Sequence, residues 1–217
     1  RMINRVIETM TQRLADTDKK GALHSDIFIQ AGTAHSAHYE DGRIEELASS
    51  NADGSGARII VGDRTFYSHS PGTSPSAISR ILSEAESSAF GTLPDPPGND
   101  RGPVLTMEEK MLPPDISYMK ELDLKIRKGS KYVRQAAFRY NISKRNVLII
   151  RSDGRCAEDS RTYCSFSAMV IAEKDGILQT ASERRSMAIP HKDFWSGSDP
   201  EDVAFAALER ALLMLDA

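Results

Sequence analysis

A chain of 217 residues with 27% charged side chains and a net charge of −3 has room for one large domain or two small ones. No apolar run nears the roughly 20 residues that a bilayer span needs. The opening RMINRVIETMTQRLADTDKKG lacks the apolar core of a signal peptide, so a cytoplasmic location is expected. Aromatic residues make up only 6%, which leaves Ile, Leu, Val, Met and Ala to build the core.

Ile3, Val6, Ile7, Met10 and Leu14 recur at helical spacing, and Gly21 closes that first helix. The period then changes. Residues 25–50 read as extended chain with Asp41-Gly42 as a hairpin turn, and ARIIVGDRTFYSHS as two short strands around Gly62-Asp63. A second helix is predicted from about Ser76 to Phe90, burying Ile78, Ile81, Leu82 and Ala85 and stopping at Gly91. Thr92 to Asp115 holds six of the ten prolines, which excludes helix and central strand and predicts a linker or surface arm. Beyond it, Ile116, Met119, Leu122 and Ile126 form another helical stripe ended by Gly129. Two hairpins follow, turning at Asp153-Gly154 and Asp175-Gly176, so this half is expected to hold about four strands. A last helix has Asp199 as its N-cap and Pro200 as its first residue, and runs through Val203, Ala207, Leu208, Ala211, Leu212 and Leu215.

The expected fold is therefore α+β: two related helix–antiparallel β-meander–helix units, with mixed sheets covered by helices. The expected boundaries are an N-terminal subdomain at 1–91, a Pro-rich linker at 92–114 and a second subdomain at 115–217. DGRIEELASS at Asp41 echoes DGRCAEDSRT at Asp153, and ARIIV at Ala57 echoes AMVIA at Ala168, as an old duplication would leave them. Strand and helix do not alternate as a parallel doubly wound sheet requires.

Cys156 and Cys164, in an extended segment, would lie about 26 Å apart at about 3.3 Å per residue. A disulfide needs Cα atoms within about 7 Å, so two free thiols are expected. Lys120 to Arg161 carries 12 Lys and Arg against 5 Asp and Glu, a balance of +7. Such a run suits either a solvated sheet face or a surface for an acidic partner such as DNA.

DGSGAR at Asp53 to Arg58 resembles a phosphate loop, but IIV follows it, and a phosphate loop must open a helix. Gly54 and Gly56 are instead expected to provide positive φ or a bulge between strands. AHSAHYED offers His35, His38, Glu40 and Asp41 as metal ligands. In a strand, however, His35 and His38 point to opposite faces, and His24 and His69 would join them only through the fold. A Ser-His-Asp set assembles in space and stays open at this level, although no G-x-S-x-G elbow is present. Neither Cys156 nor Cys164 has an activating base placed beside it in sequence. Phe194 and Trp195 read as an exposed recognition patch or as a staple for the last helix. No residue is assigned a catalytic, cofactor-binding or metal-ligating role.

Several motifs, taken in order, resemble the TldD/PmbA family. They are an aspartate-led strand at Asp26, the turn Glu40-Asp41-Gly42, Gly54 through Arg58, and the aromatic strand at Phe66-Tyr67. SDGRCAEDSRTYCSFSAMVIAEKDG and the closing DPEDVAFAALERALLMLDA are similar to the family's middle segment and its final helix. The resemblance departs at Glu183 to Trp195, where family members carry a glycine-rich run. It implies a zinc metallopeptidase acting on flexible peptides, in peptide maturation or the degradation of small proteins. The zinc is expected on an H-E-x-x-x-H helix beyond Ala217, since no histidine of this chain is directly followed by a glutamate. The resemblance makes these residues the non-catalytic N-terminal and middle lobe. They are expected to assemble as a homo- or hetero-oligomer with a TldD/PmbA-type subunit, with no membrane or nucleic-acid partner. A PmbA-type subunit without zinc, or a binding module docking through residues 120–161, is the alternative.

Overall fold

The computed structural model describes residues 2–93, 102–105, 116–196 and 199–217. The first half runs α1 (Met2–Lys19), β1 (His24–Glu40), β2 (Arg43–Asn51), β3 (Gly54–Val61), β4 (Arg64–Pro71) and α2 (Pro75–Phe90). The second runs α3 (Ile116–Gly129), β5 (Val133–Arg151), β6 (Cys156–Lys174), β7 (Ile177–Met187), α4 (His191–Ser196) and α5 (Asp199–Leu215). The fold is α+β, with strand order β4-β3-β1-β5-β6-β7 and β2 paired to β1. The β1·β3, β3·β4 and β6·β7 ladders are antiparallel.

Local chemistry sets these boundaries. Asp41 and Asp175 adopt positive φ (46° and 52°) ahead of Gly42 and Gly176 (84° and 81°). Two such residues make the I′ turn whose twist matches a two-residue hairpin. Ser74 caps α2 by accepting from the Ala77 N–H at 3.2 Å, with Pro75 at its first position. Gly91 ends α2 in the left-handed region, its N–H donating to the Ser87 carbonyl at 2.8 Å. α5 starts at Asp199; the side chain of Asp199, and so the expected cap, lies outside the described residues. So does most of the Pro-rich arm. Within it, Val104 is buried and its N–H donates to the Thr73 carbonyl at 2.9 Å.

Two expectations need correction. Gly54 and Gly56 provide no positive φ and form no turn; they lie inside β3, paired with Gln30 and Phe28 of β1. The bend is made by Ala52 and Asp53, where the Ala52 N–H donates to the Gly32 carbonyl (2.9 Å) and the Gly32 N–H to Asp53 Oδ1 (3.2 Å). At Gly56 a Cβ would stand 2.5 Å from the Tyr67 hydroxyl, which lies across the bare backbone. The second correction is that, among the described residues, the second half has three strands, not four. No glycine or proline interrupts Cys156 to Lys174, and β6 runs unbroken as the shared arm of both hairpins.

Two compact units are distinguished, and each draws on three stretches of chain. The first comprises Arg1–Gly32, Asn51–Lys110 and Arg145–Ser160; the second comprises Thr33–Ser50, Met111–Lys144 and Arg161–Ala217. In the first, Val6, Met10 and Leu14 of α1 and Ile78, Ile81 and Leu82 of α2 share a core with Ile27, Ile29, Ile59, Leu148 and Ile150. Across its sheet Asp26 faces Arg58 in register. Arg58 donates to Asp26 Oδ2 through Nε (3.1 Å) and Nη2, and His24 Nε2 lies 2.8 Å from the same oxygen. Asp26→Ala is expected to cost about 1–2 kcal/mol in urea unfolding, because the half-exposed guanidinium can turn to water.

In the second unit the core is aromatic. Phe138 lies between Tyr39 and Phe166 at 6.0 and 5.9 Å, under Met119, Leu122 and Ile126 of α3 and Ala204, Ala207 and Leu208 of α5. Inward side chains follow the two-residue period: Ala136, Phe138, Tyr140 and Ile142 on β5, and Cys164, Phe166, Ala168 and Val170 on β6.

Candidate functional site

The histidines separate rather than converge. His24 pairs with Asp26 (2.8 Å) and His38 with Glu40 (3.5 Å), both at the i, i+2 spacing that puts strand residues on one face. His35 Nδ1 lies 2.7 Å from Ser49 Oγ, and His69 stacks on Tyr67. Histidine–acid and histidine–serine pairs thus fall on different histidines, so these pairs do not make a triad. Among the described residues no three His, Cys, Asp or Glu side chains come close enough together to hold an ion. These residues do not fit a zinc ion.

What the fold does assemble is a cleft of about 560 Å³ in the second unit, lined by β1, β2, β5, β6, β7 and Ala188 just beyond. β2 pairs β1 while β7 ends the strand order beyond β6, yet both reach this cleft, so the sheet curls around it. Its lining is mostly small: Ala34, Ser36, Ala48, Ser50, Ser143, Ser165, Ser186 and Ala188. His35, Asn141, Tyr163 and Arg184 supply the larger polar groups. Register explains the placement of Arg184. Ser165 faces Ser186 and Ser167 faces Arg184 across β6·β7, so all four share one face, while Cys164 and Phe166 point to the core. The Arg184 guanidinium donates to Ser186 Oγ at 3.3 Å and to Ser165 Oγ at 3.5 Å.

Of the residues lining the cleft, only His35 and Cys164 were singled out from sequence. The one available signal was the alternation of small and polar residues at Arg184, Ser186 and Ala188. It lay inside the stretch that reads as a departure from the family pattern.

Beneath the cleft the Tyr140 hydroxyl donates to Cys164 Sγ (3.8 Å), and the Cys164 thiol donates to the Ile189 carbonyl (3.7 Å). Burial pushes the Cys164 thiol up, with the Tyr140 hydrogen bond opposing, which keeps it protonated and unfit as a nucleophile. Cys156 is exposed, and both cysteines are free thiols. Phe194 is fully buried, and Trp195 packs 4.7 Å from the Tyr140 ring. The aromatic pair on α4 is therefore packing, not a recognition patch.

His191 sits against Tyr140 and Trp195, and burial holds its imidazole below the ordinary 6.5. The fold favours the neutral ring, so this contribution is complete above about pH 6.5 and is lost as pH falls through the lowered folded-state value. His191→Phe is expected to flatten the loss of urea stability between about pH 6.5 and pH 5, compared with the parent chain.

The basic stretch from Lys120 to Arg161 is met by acids. Lys125 pairs with Glu201 (2.6 Å), Arg134 with Glu173 (2.7 Å), and Arg127 with Asp123 (2.9 Å) and Asp41. Arg151 and Arg155 share Asp153. Three of these acids, Asp41, Glu173 and Glu201, lie outside the stretch in sequence and offset three of its seven excess positive charges. No helix among the described residues is long and apolar enough to cross a membrane.

Comparison with known proteins agrees with this architecture. Residues 105–215 match the PmbA/TldA metallopeptidase central domain, and residues 25–89 match PmbA/TldA metallopeptidase domain 1. No curated protein matches the chain. Among solved structures, it is similar to a proposed modulator of a DNA gyrase from Thermotoga maritima (TM-score 0.66, 15% identity, 94% of this chain and 47% of that one). It is also similar to TldE from Thermococcus kodakarensis (TM-score 0.65, 14% identity, 93% and 47%). A proposed modulator of DNA gyrase from Bacteroides thetaiotaomicron gives a TM-score of 0.57 at 15% identity, covering 96% and 49%. The chain spans about half the length of these structures. It belongs to the PmbA/TldD metallopeptidase family, of which it carries domain 1 and the central domain.

Proposed function

We propose that these residues are the substrate-holding, non-catalytic lobe of a PmbA/TldD-type peptidase subunit, serving peptide maturation or the degradation of small proteins. The observation that carries this reading is the cleft, large enough for several residues of polypeptide and walled by small side chains. Small side chains let the backbone of an extended chain approach the sheet, while Asn141, Tyr163 and the serine hydroxyls offer hydrogen-bond partners for it. The described residues bring no nucleophile, base and orienting acid together, so they bind and align rather than cut. In this reading the zinc of the family belongs to a separate domain, and the lobe meets a second TldD/PmbA-type subunit in a cytoplasmic assembly.

The test is hydrolysis. The purified chain, given added zinc and an unstructured casein fragment, is expected to leave the fragment at full mass. Cleavage that a chelator abolishes would overturn the reading.

A further inference from the structure

The cleft has an uneven charge. Among the described residues that line it, Arg184 carries the only fixed charge, and there is no Asp or Glu. This stands out in a chain where acids outnumber bases by 31 to 28. Elsewhere guanidinium groups find carboxylates: Arg13 on Glu86, Arg58 on Asp26, Arg127 on Asp123, and Arg210 on Glu183. Glu183 precedes Arg184 on β7, but the alternation of the strand sends it to the other face, where it serves Arg210. Among the described residues Arg184 has two long contacts to serine hydroxyls, and these orient the fork without neutralising it. A guanidinium carries five donors, and its geometry matches a carboxylate in two parallel hydrogen bonds.

We propose that Arg184 is a specificity-determining residue which binds the side-chain carboxylate of an acidic residue in an extended polypeptide lying in the cleft. This rests on the substrate-holding reading above and adds the class of sequence that is held. A single cation suits a monoanion; a phosphate dianion calls for several cations or a helix N-terminus, and no helix lines the cleft. A side chain fits better than a chain terminus. The lining belongs to strands, with only Ala188 beyond them, whereas a terminal carboxylate is captured where a backbone nest closes the end of a groove.

The experiment is fluorescence anisotropy of the full chain with labelled octapeptides of Ala, Ser and Gly, acetylated and amidated at their ends. One peptide carries a central Glu, one Gln and one phosphoserine; a fourth has no acidic side chain but a free C-terminal carboxylate. The Glu peptide is expected to bind about five- to tenfold more tightly than the Gln peptide. Arg184→Gln should remove that difference and Arg184→Lys restore part of it. Arg184 is exposed, so both variants should melt with the parent chain. Equal binding of the Glu and Gln peptides, or a preference unchanged in Arg184→Gln, overturns the proposal and leaves the substrate-holding reading standing. Tightest binding of the phosphoserine peptide makes this a phosphate site, and tightest binding of the free terminus makes it a terminus site; either overturns the proposal. If no peptide binds, both readings fail.

Discussion

Phe138→Ala is expected to destabilise the second unit by about 3–5 kcal/mol, the usual cost of emptying an aromatic site in a packed core. Phe138 is fully buried and stacked on both sides, and the facing backbones of β1 and β6 are held by their ladders. The void therefore cannot close without moving strands that also shape the cleft. Trp195, the single tryptophan of the chain, packs 6.2 Å from Phe166 in the same core, so its fluorescence follows unfolding of this unit in urea. A loss under about 1 kcal/mol would mean that the core is looser than the packing shown here.

Arg127→Met carries the second large effect. Arg127 donates to Asp123 Oδ1 at 2.9 Å and also to Asp41, whose other partner is the Ala136 N–H at 3.0 Å. Asp123 is almost fully buried, and its remaining partner is the Tyr39 hydroxyl at 3.3 Å. Without the guanidinium a buried carboxylate loses its countercharge, which is expected to cost about 2–4 kcal/mol. Asp123→Asn in the Arg127→Met background should recover part of that loss, since a neutral amide needs no countercharge. A double variant as unstable as the single one would argue against this origin. The same cluster sets an alkaline limit. Burial, and then the Asp123 carboxylate, raise the Tyr39 phenol to about 12. The fold favours the protonated phenol, so its contribution is whole below about pH 10 and is lost as pH rises toward the folded-state value.

Much of this architecture could be read from the residues because it is local. The α1 stripe from Val6 to Leu14, the Gly91 stop of α2, and the Asp-Gly hairpins each depend on neighbours within a turn or two. What escaped is non-local. Gly54 and Gly56 look like turn residues until Tyr67 is known to lie over β3. The fourth strand expected in the second half does not appear among the described residues, because nothing in β6 prevents one strand from serving two hairpins. The cleft was hidden most completely, since five strands from distant stretches contribute two or three residues each. Only register shows that Arg184, Ser186 and Ser165 share a face. The separation of His35 and His38 was legible, because it follows from strand alternation alone.

The central claim is that this lobe holds polypeptide rather than cutting it, and hydrogen exchange followed by mass spectrometry tests it most directly. The chain would be labelled with and without a saturating unstructured peptide carrying glutamates, and the peptide weighed at the end. The account predicts protection concentrated at Tyr163–Ser165 and Arg184–Ala188 with the peptide recovered intact. Protection confined to other segments, or a shortened peptide, would contradict it.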